Sequence, residues 1–114
     1  MAEVHLNVGG CVFTTSLTTL TRRDSFFSGL VSHRQCNENV FFIDRDPMHF
    51  RYVLNWLRGV HVLPEDNQSL LELTWEADFY ALDDMVRAIR KQERRDVVST
   101  IKALTHVIDR HGSM

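Results

Sequence analysis

Val4-His5-Leu6-Asn7-Val8-Gly9-Gly10-Cys11-Val12-Phe13 is the stretch that decides the fold. Val4, Leu6 and Val8 alternate with Glu3, His5 and Asn7, the period of a strand with one apolar face. Gly9-Gly10 follows, and two glycines can take the positive φ angles of a tight hairpin turn. The turn sets a register in which Val8 opposes Cys11, Leu6 opposes Phe13 and Val4 opposes Thr15. That register gathers Val4, Leu6, Val8, Cys11 and Phe13 on one side of the sheet. A slip of one residue would turn the whole set to the other face, so turn and pattern together fix the pairing.

Outward from the hairpin, the chain changes period. Thr15-Ser16 offers N-caps for a short helix through Leu17 and Leu20, and Asp24-Ser25 offers a second set before Phe26, Phe27, Leu30 and Val31. Residues 33–39 are polar and read as a loop. The continuous apolar run Val40-Phe41-Phe42-Ile43 reads as a short strand buried on both faces. Asp46-Pro47 predicts the start of the strongest helix, since neither position needs an intrahelical donor there. Phe50, Val53, Leu54 and Leu57 give that helix its core stripe, and Gly59 ends it. After Pro64, Asp66 or Asn67 caps a helix carrying Leu70, Leu73 and Ala77. A turn near Leu82-Asp83 leads to one carrying Met85, Val86 and Ile89.

A charged stretch, residues 90–96, sets off a separate amphipathic helix. Its Val97, Ile101, Leu104 and Ile108 recur at spacings of four, three and four, the rhythm of a coiled coil. Two heptads are short for a free coil, so the stripe is expected to dock onto the domain itself. Contact with other copies or with a partner is the alternative. Strands early and helices late predict an α+β domain, with helices packed on a small, mainly antiparallel sheet.

Several functions are excluded by composition. The chain has 114 residues, which suits one domain, and its 25% of charged residues is an ordinary globular share. A formal net charge of -2 speaks against nucleic acid, which demands a local excess of Lys and Arg. The N-terminus lacks the basic and apolar regions of a signal peptide, and the longest apolar run is far too short to span a membrane. A cytoplasmic chain with no membrane insertion is therefore expected.

Chemistry is equally sparse. Gly9-Gly10 lacks the further glycines and the Lys-Ser or Lys-Thr of a phosphate loop. Asp44 and Asp46 flank Arg45, but catalytic carboxylates need a pocket and a reacting group between them. Asp46 has a simpler use as a cap, and Asp44 with Arg45 reads as a local ion pair unless another copy meets it. His33 and Cys36 have a metal-like spacing, yet a structural zinc site needs a second close pair of ligands. No enzyme, cofactor or metal site is expected. Tyr52 and Trp56 form a second stripe on the helix after Pro47. They read as packing against a neighbouring helix or as a subunit interface, where aromatics are enriched.

Taken together, the motifs resemble a known family. Val4-His5-Leu6-Asn7-Val8-Gly9-Gly10 with Phe13-Thr14-Thr15, then Leu17 to Thr21, is similar to the opening of BTB/POZ domains of the potassium-channel-tetramerisation type. Phe42-Ile43-Asp44-Arg45-Asp46, Phe50, Val53-Leu54-Asn55, Leu57-Arg58, Leu63-Pro64 and Glu76-Ala77-Asp78-Phe79-Tyr80 extend the likeness, which resembles the KCTD branch more than voltage-gated channels. It covers roughly residues 3–90. The resemblance implies a BTB/POZ fold over residues 1–95 and leaves residues 96–114 as a C-terminal helical extension. It implies a homo-oligomer, a tetramer or pentamer, with Asn7, Asp44 and Arg45 at the subunit contact beside Tyr52 and Trp56. It further implies a substrate adaptor of a cullin-3 ubiquitin ligase. Cullin-3 would meet Phe26, Leu30, Val31 and His33, with an exposed Leu30 or Val31 as anchor. The alternative is an assembly domain that sets the subunit number of a potassium channel or another multimeric protein without binding cullin-3.

Overall fold

The computed structural model describes residues 2–35 and 38–112, with side chains through residue 107. Its elements are β1 (Glu3–Val8), β2 (Cys11–Ser16), α1 (Leu17–Thr21), α2 (Phe26–Ser32), β3 (Val40–Ile43), α3 (Phe50–Leu57), α4 (Asn67–Phe79) and α5 (Asp83–Gly112). β1 and β2 pair antiparallel in the expected register: Val8 with Cys11, Leu6 with Phe13, Val4 with Thr15. Gly9 and Gly10 hold φ of 55° and 103°. The Asn7 side-chain oxygen accepts the Gly10 N–H at 2.9 Å and closes the turn. Cys11 shares the inner face but is exposed on the edge strand β2, while its partner Val8 on the central strand β1 is fully buried.

β3 joins the other side of β1 in parallel, with His5 opposite Val40 and Asn7 opposite Phe42. A parallel partner requires a crossover, and α1 with α2 supply it. The sheet is therefore mixed, in the order β2-β1-β3. It is not buried on both sides of β3: Phe41 and Ile43 enter the core while Val40 and Phe42 stand in solvent. The helices cover only the inner face, so a run of four apolar residues still alternates.

Short caps fix the helix entries. Ser16 Oγ accepts the Thr19 N–H at 3.1 Å, Ser25 Oγ the Phe27 N–H at 3.1 Å, and an Asp66 carboxylate oxygen the Ser69 N–H at 2.8 Å. The Asp46-Pro47 expectation needs correction. Asp46 accepts the Met48 N–H at 2.9 Å and Phe50 N–H reaches Pro47 O at 3.0 Å, so this pair shapes a tight turn and α3 begins at Phe50. From there Phe50, Val53, Leu54 and Leu57 all face the core. Phe27, Phe50 and Tyr80 meet at its centre, with Phe27 and Tyr80 stacked at 4.7 Å between ring centroids.

A second correction concerns the C-terminal half. Residues 83–112 form one helix, with no break at the charged stretch. Arg, Lys, Glu and Gln are good helix formers, and no Pro or Gly interrupts residues 83–111. Met85, Val86 and Ile89 pack into the domain. Val97, Ile101 and Leu104 do not dock onto it and are more than half exposed. The side chain of Ile108, the fourth member of that stripe, lies outside the described residues. The chain measures 76 Å along its longest axis against 25 and 19 Å across.

Candidate protein-interaction surfaces

The outer face of the sheet is built by the strand period. Residues that alternate with the buried set form two rows across β2-β1-β3: Val12, Asn7 and Phe42, then Thr14, His5 and Val40. Phe42 is 65% and Val12 61% exposed, a large fraction for such side chains. His5 bridges polar neighbours, with Nδ1 2.9 Å from Thr14 Oγ1 and Nε2 3.3 Å from Glu3. Asn7 sits at the centre of this face, though its side-chain oxygen is committed to the hairpin turn.

A second surface follows β3. Asp44 is exposed, but Arg45 does not pair with it. The Arg45 guanidinium forms a two-pronged bridge to Glu76 on α4, Nε to Oε1 at 3.0 Å and Nη2 to Oε2 at 2.7 Å. It also lies 4.4 Å from the Phe79 ring centroid. The Glu76 hydrogen bond raises the Arg45 pKa further above its usual value. This planar fork ties the β3–α3 turn to α4 and flattens Phe79 against the surface. Along α4, Leu71, Trp75 and Phe79 recur every four residues on the outer side, all exposed, while Leu70, Leu73 and Ala77 fill the core. Met48, 73% exposed, lies on the turn before α3. Beside Trp75, a small cavity is lined by Asp46, His49, Glu72 and Glu76. His49 Nε2 bonds Glu72 at 2.8 Å there, which lowers the Glu72 pKa.

The two aromatics on α3 part company. Trp56 is buried: its indole stacks on His61 at 3.8 Å and its N–H donates to Asp84 at 3.0 Å. Its surface is spent inside the chain, which corrects its assignment to a subunit contact. Tyr52 is half-buried beside His49 and Arg51. Asp84 also takes both guanidinium prongs of Arg23 and the Met85 N–H. The Arg23 hydrogen bonds push its carboxyl well below the usual carboxylate range.

A third, open groove runs along α2, lined by Phe26, Leu30, His33, Arg34, Glu38 and Phe41. Val31 is not part of it. At 1% exposure Val31 is core, because α2 is amphipathic and turns Phe27 and Val31 inward together. Leu30 and Phe26 remain half-buried at the groove, and His33 closes the helix through Nδ1 to Gly29 O at 2.8 Å. The metal candidate His33–Cys36 includes a residue outside those described. Among the described residues no cluster of three His, Cys, Asp or Glu side chains is placed to hold a metal ion. No helix among them is long and apolar enough to cross a membrane.

The sequence reading missed Leu71, Trp75 and Phe79 because core residues Leu70, Leu73 and Ala77 absorb the obvious helical period. The spacing of four between the three was the available clue.

Comparison with known proteins places these surfaces in context. The profile of the BTB/POZ domain matches residues 4–89. The BTB/POZ domain-containing protein KCTD21 of Homo sapiens, like that of Mus musculus, is 43% identical over 96 residues, 79% of this chain and 37% of the relative. FH protein interacting protein FIP2 of Arabidopsis thaliana is 39% identical over 111 residues, 91% of this chain and 37% of its own length. SH3KBP1-binding protein 1 of Rattus norvegicus is 44% identical over 100 residues, which cover 82% of this chain and 14% of that protein. The chain thus spans little more than a third of these relatives at most.

Proposed function

The chain belongs to the BTB/POZ domain family, and from that premise we propose that it assembles with copies of itself into a closed ring and serves as a substrate adaptor that holds cullin-3. Families of this kind supply interaction and oligomerisation domains rather than catalysts. One observation carries the ring. The chain exposes two different apolar surfaces, the sheet face with Val12, Val40 and Phe42 and the α4 stripe with Leu71, Trp75 and Phe79. A two-fold dimer needs only one self-matching patch, whereas a ring of four or five subunits needs two unlike patches that fit each other. Asn7 at the centre of the sheet face, with Asp44, Arg45 and Tyr52, would orient the contact more than strengthen it. Residues 1–95 act as the assembling unit and residues 96–114 as its helical extension.

Cullin-3 is assigned to the α2 groove, with Leu30 and Phe26 as anchors and His33 at the rim. Aliphatic and aromatic anchors of that kind carry most of an interface's energy, about 2 kcal/mol or more each. The test joins mass with titration. Light scattering of wild type, Phe42→Asp and Trp75→Asp should give a ring mass for the first and smaller species for both variants. A wild-type monomer in the micromolar range refutes assembly. Calorimetric titration with the cullin-3 N-terminal domain should give heat that Leu30→Asp abolishes while ring mass is kept. No heat from wild type would leave a pure assembly domain, such as sets subunit number in a potassium channel.

A further inference from the structure

The second half of α5 lies beyond the family match, which ends at residue 89, and it changes character at Asp96. Lys102 is the one Lys, Arg, Asp or Glu between Val97 and Val107. Val97, Val98, Ile101, Leu104 and Val107 are all about half exposed or more. At 3.6 residues per turn they spread over about half the helix circumference. Ser99, Lys102 and His106 occupy the other half. An apolar face so wide exceeds the narrow seam of a two-stranded coil and can be covered only by more than one neighbour.

Depletion of charge with aliphatic enrichment is the composition of an interface core. The body of the same chain does not cover this face. Five aliphatic side chains fall well short of the roughly 800 Å² that each partner contributes to a standalone interface. The face therefore needs a partner already held close by something else. Other copies of this chain meet that requirement. α5 is rigidly rooted, with Met85, Val86 and Ile89 in the core and Asp84 bound to Arg23 and Trp56. Copies related by rotation would carry their helices outward side by side at high effective concentration.

We propose that the distal α5 segments of assembled copies bundle with one another around the assembly axis through Val97, Ile101 and Leu104. This inference rests on self-assembly of the domain. The bundle extends the ring contact and raises its stability without any further partner.

The full chain carrying Cys11→Ser and Cys36→Ser provides the test background. A single cysteine is placed at the apolar face, Leu104→Cys, or at the opposite face, His106→Cys. Both are treated with a short bis-maleimide while mass is followed by light scattering. Packed helices lie about 8–10 Å apart, so facing positions are within reach and outward ones are not. Leu104→Cys should form covalent dimers about tenfold or more faster than His106→Cys, a gap of about 1.4 kcal/mol. In the same background Ile101→Asp should lower the concentration stability of the oligomer. Equal cross-linking at both positions, or none at Leu104→Cys in an oligomer of intact mass, overturns the bundle alone. A monomeric mass for the unsubstituted background and for wild type overturns the bundle and the ring together.

Discussion

Asp84→Ala should cost the domain about 2–3 kcal/mol, and the value follows from what the carboxylate holds. Asp84, in the first turn of α5, accepts four hydrogen bonds from three residues: two from Arg23 between α1 and α2, one from the Trp56 indole on α3, and one from the Met85 N–H on α5 itself. The ion pair is about a third exposed on both sides, so solvent screening limits its share to about 1 kcal/mol. The larger share comes from Trp56. Its ring is buried, and an indole N–H left without a partner costs about 1–2 kcal/mol. Asp84→Asn keeps one acceptor oxygen for the indole but loses the charge and turns the second oxygen into a donor, so it should cost about 1–2 kcal/mol, less than the Ala variant. Urea denaturation at pH 7 and fixed protein concentration measures both, since an oligomer's stability depends on concentration. The pH dependence gives a second reading. The folded carboxyl is held below its unfolded pKa of about 3.9, so the unfolded state binds the proton first. The stability due to the charge is complete above that value and fades as pH falls below it, so the deficit of Asp84→Asn should shrink below about pH 4. Equal costs for the Ala and Asn variants would refute the role given to the indole bond.

Other perturbations test other parts of the fold. Gly9→Ala should destabilise by about 2 kcal/mol or more, since φ is positive and an added Cβ would run into the Arg45 carbonyl oxygen; thermal melting checks it. Tyr80→Phe should be neutral or slightly stabilising in urea denaturation, because the buried hydroxyl has no partner to lose among the described residues and burial already pushes its pKa well above the usual phenol. Ala81→Gly should stabilise by about 1 kcal/mol in the same assay, as Ala81 ends α4 at φ 57°. Leu54→Ala should cost about 2–5 kcal/mol, the range for a buried leucine, and an unchanged melting temperature would misplace the core stripe.

Local chemistry was legible in the sequence wherever the relevant partners are neighbours along the chain. Gly9-Gly10 and the alternation around it specified β1, β2 and their register, because a two-residue turn leaves no freedom in pairing. Thr15-Ser16, Asp24-Ser25 and Asp66-Asn67 marked three helix starts, because a cap bonds an N–H two or three residues away; Ser16, Ser25 and Asp66 are the members that do so. The core stripe of α3 and the inner face of α4 were readable from a period of 3.6. Tertiary structure alone decided which faces are covered. Val40 and Phe42 look as buried as Phe41 until the helices are seen on only one side of the sheet. Val31 passed for a surface anchor until α2 was set against the core, and Trp56 for an interface residue until Asp84 and His61 were placed beside it. Arg45 found its carboxylate 31 positions along the chain, not next door. Sequence order fixes what a side chain can do over a turn or a strand pair. Whether its surface is spent within the chain or left for a partner depends on contacts between residues far apart in sequence, and no local period encodes those.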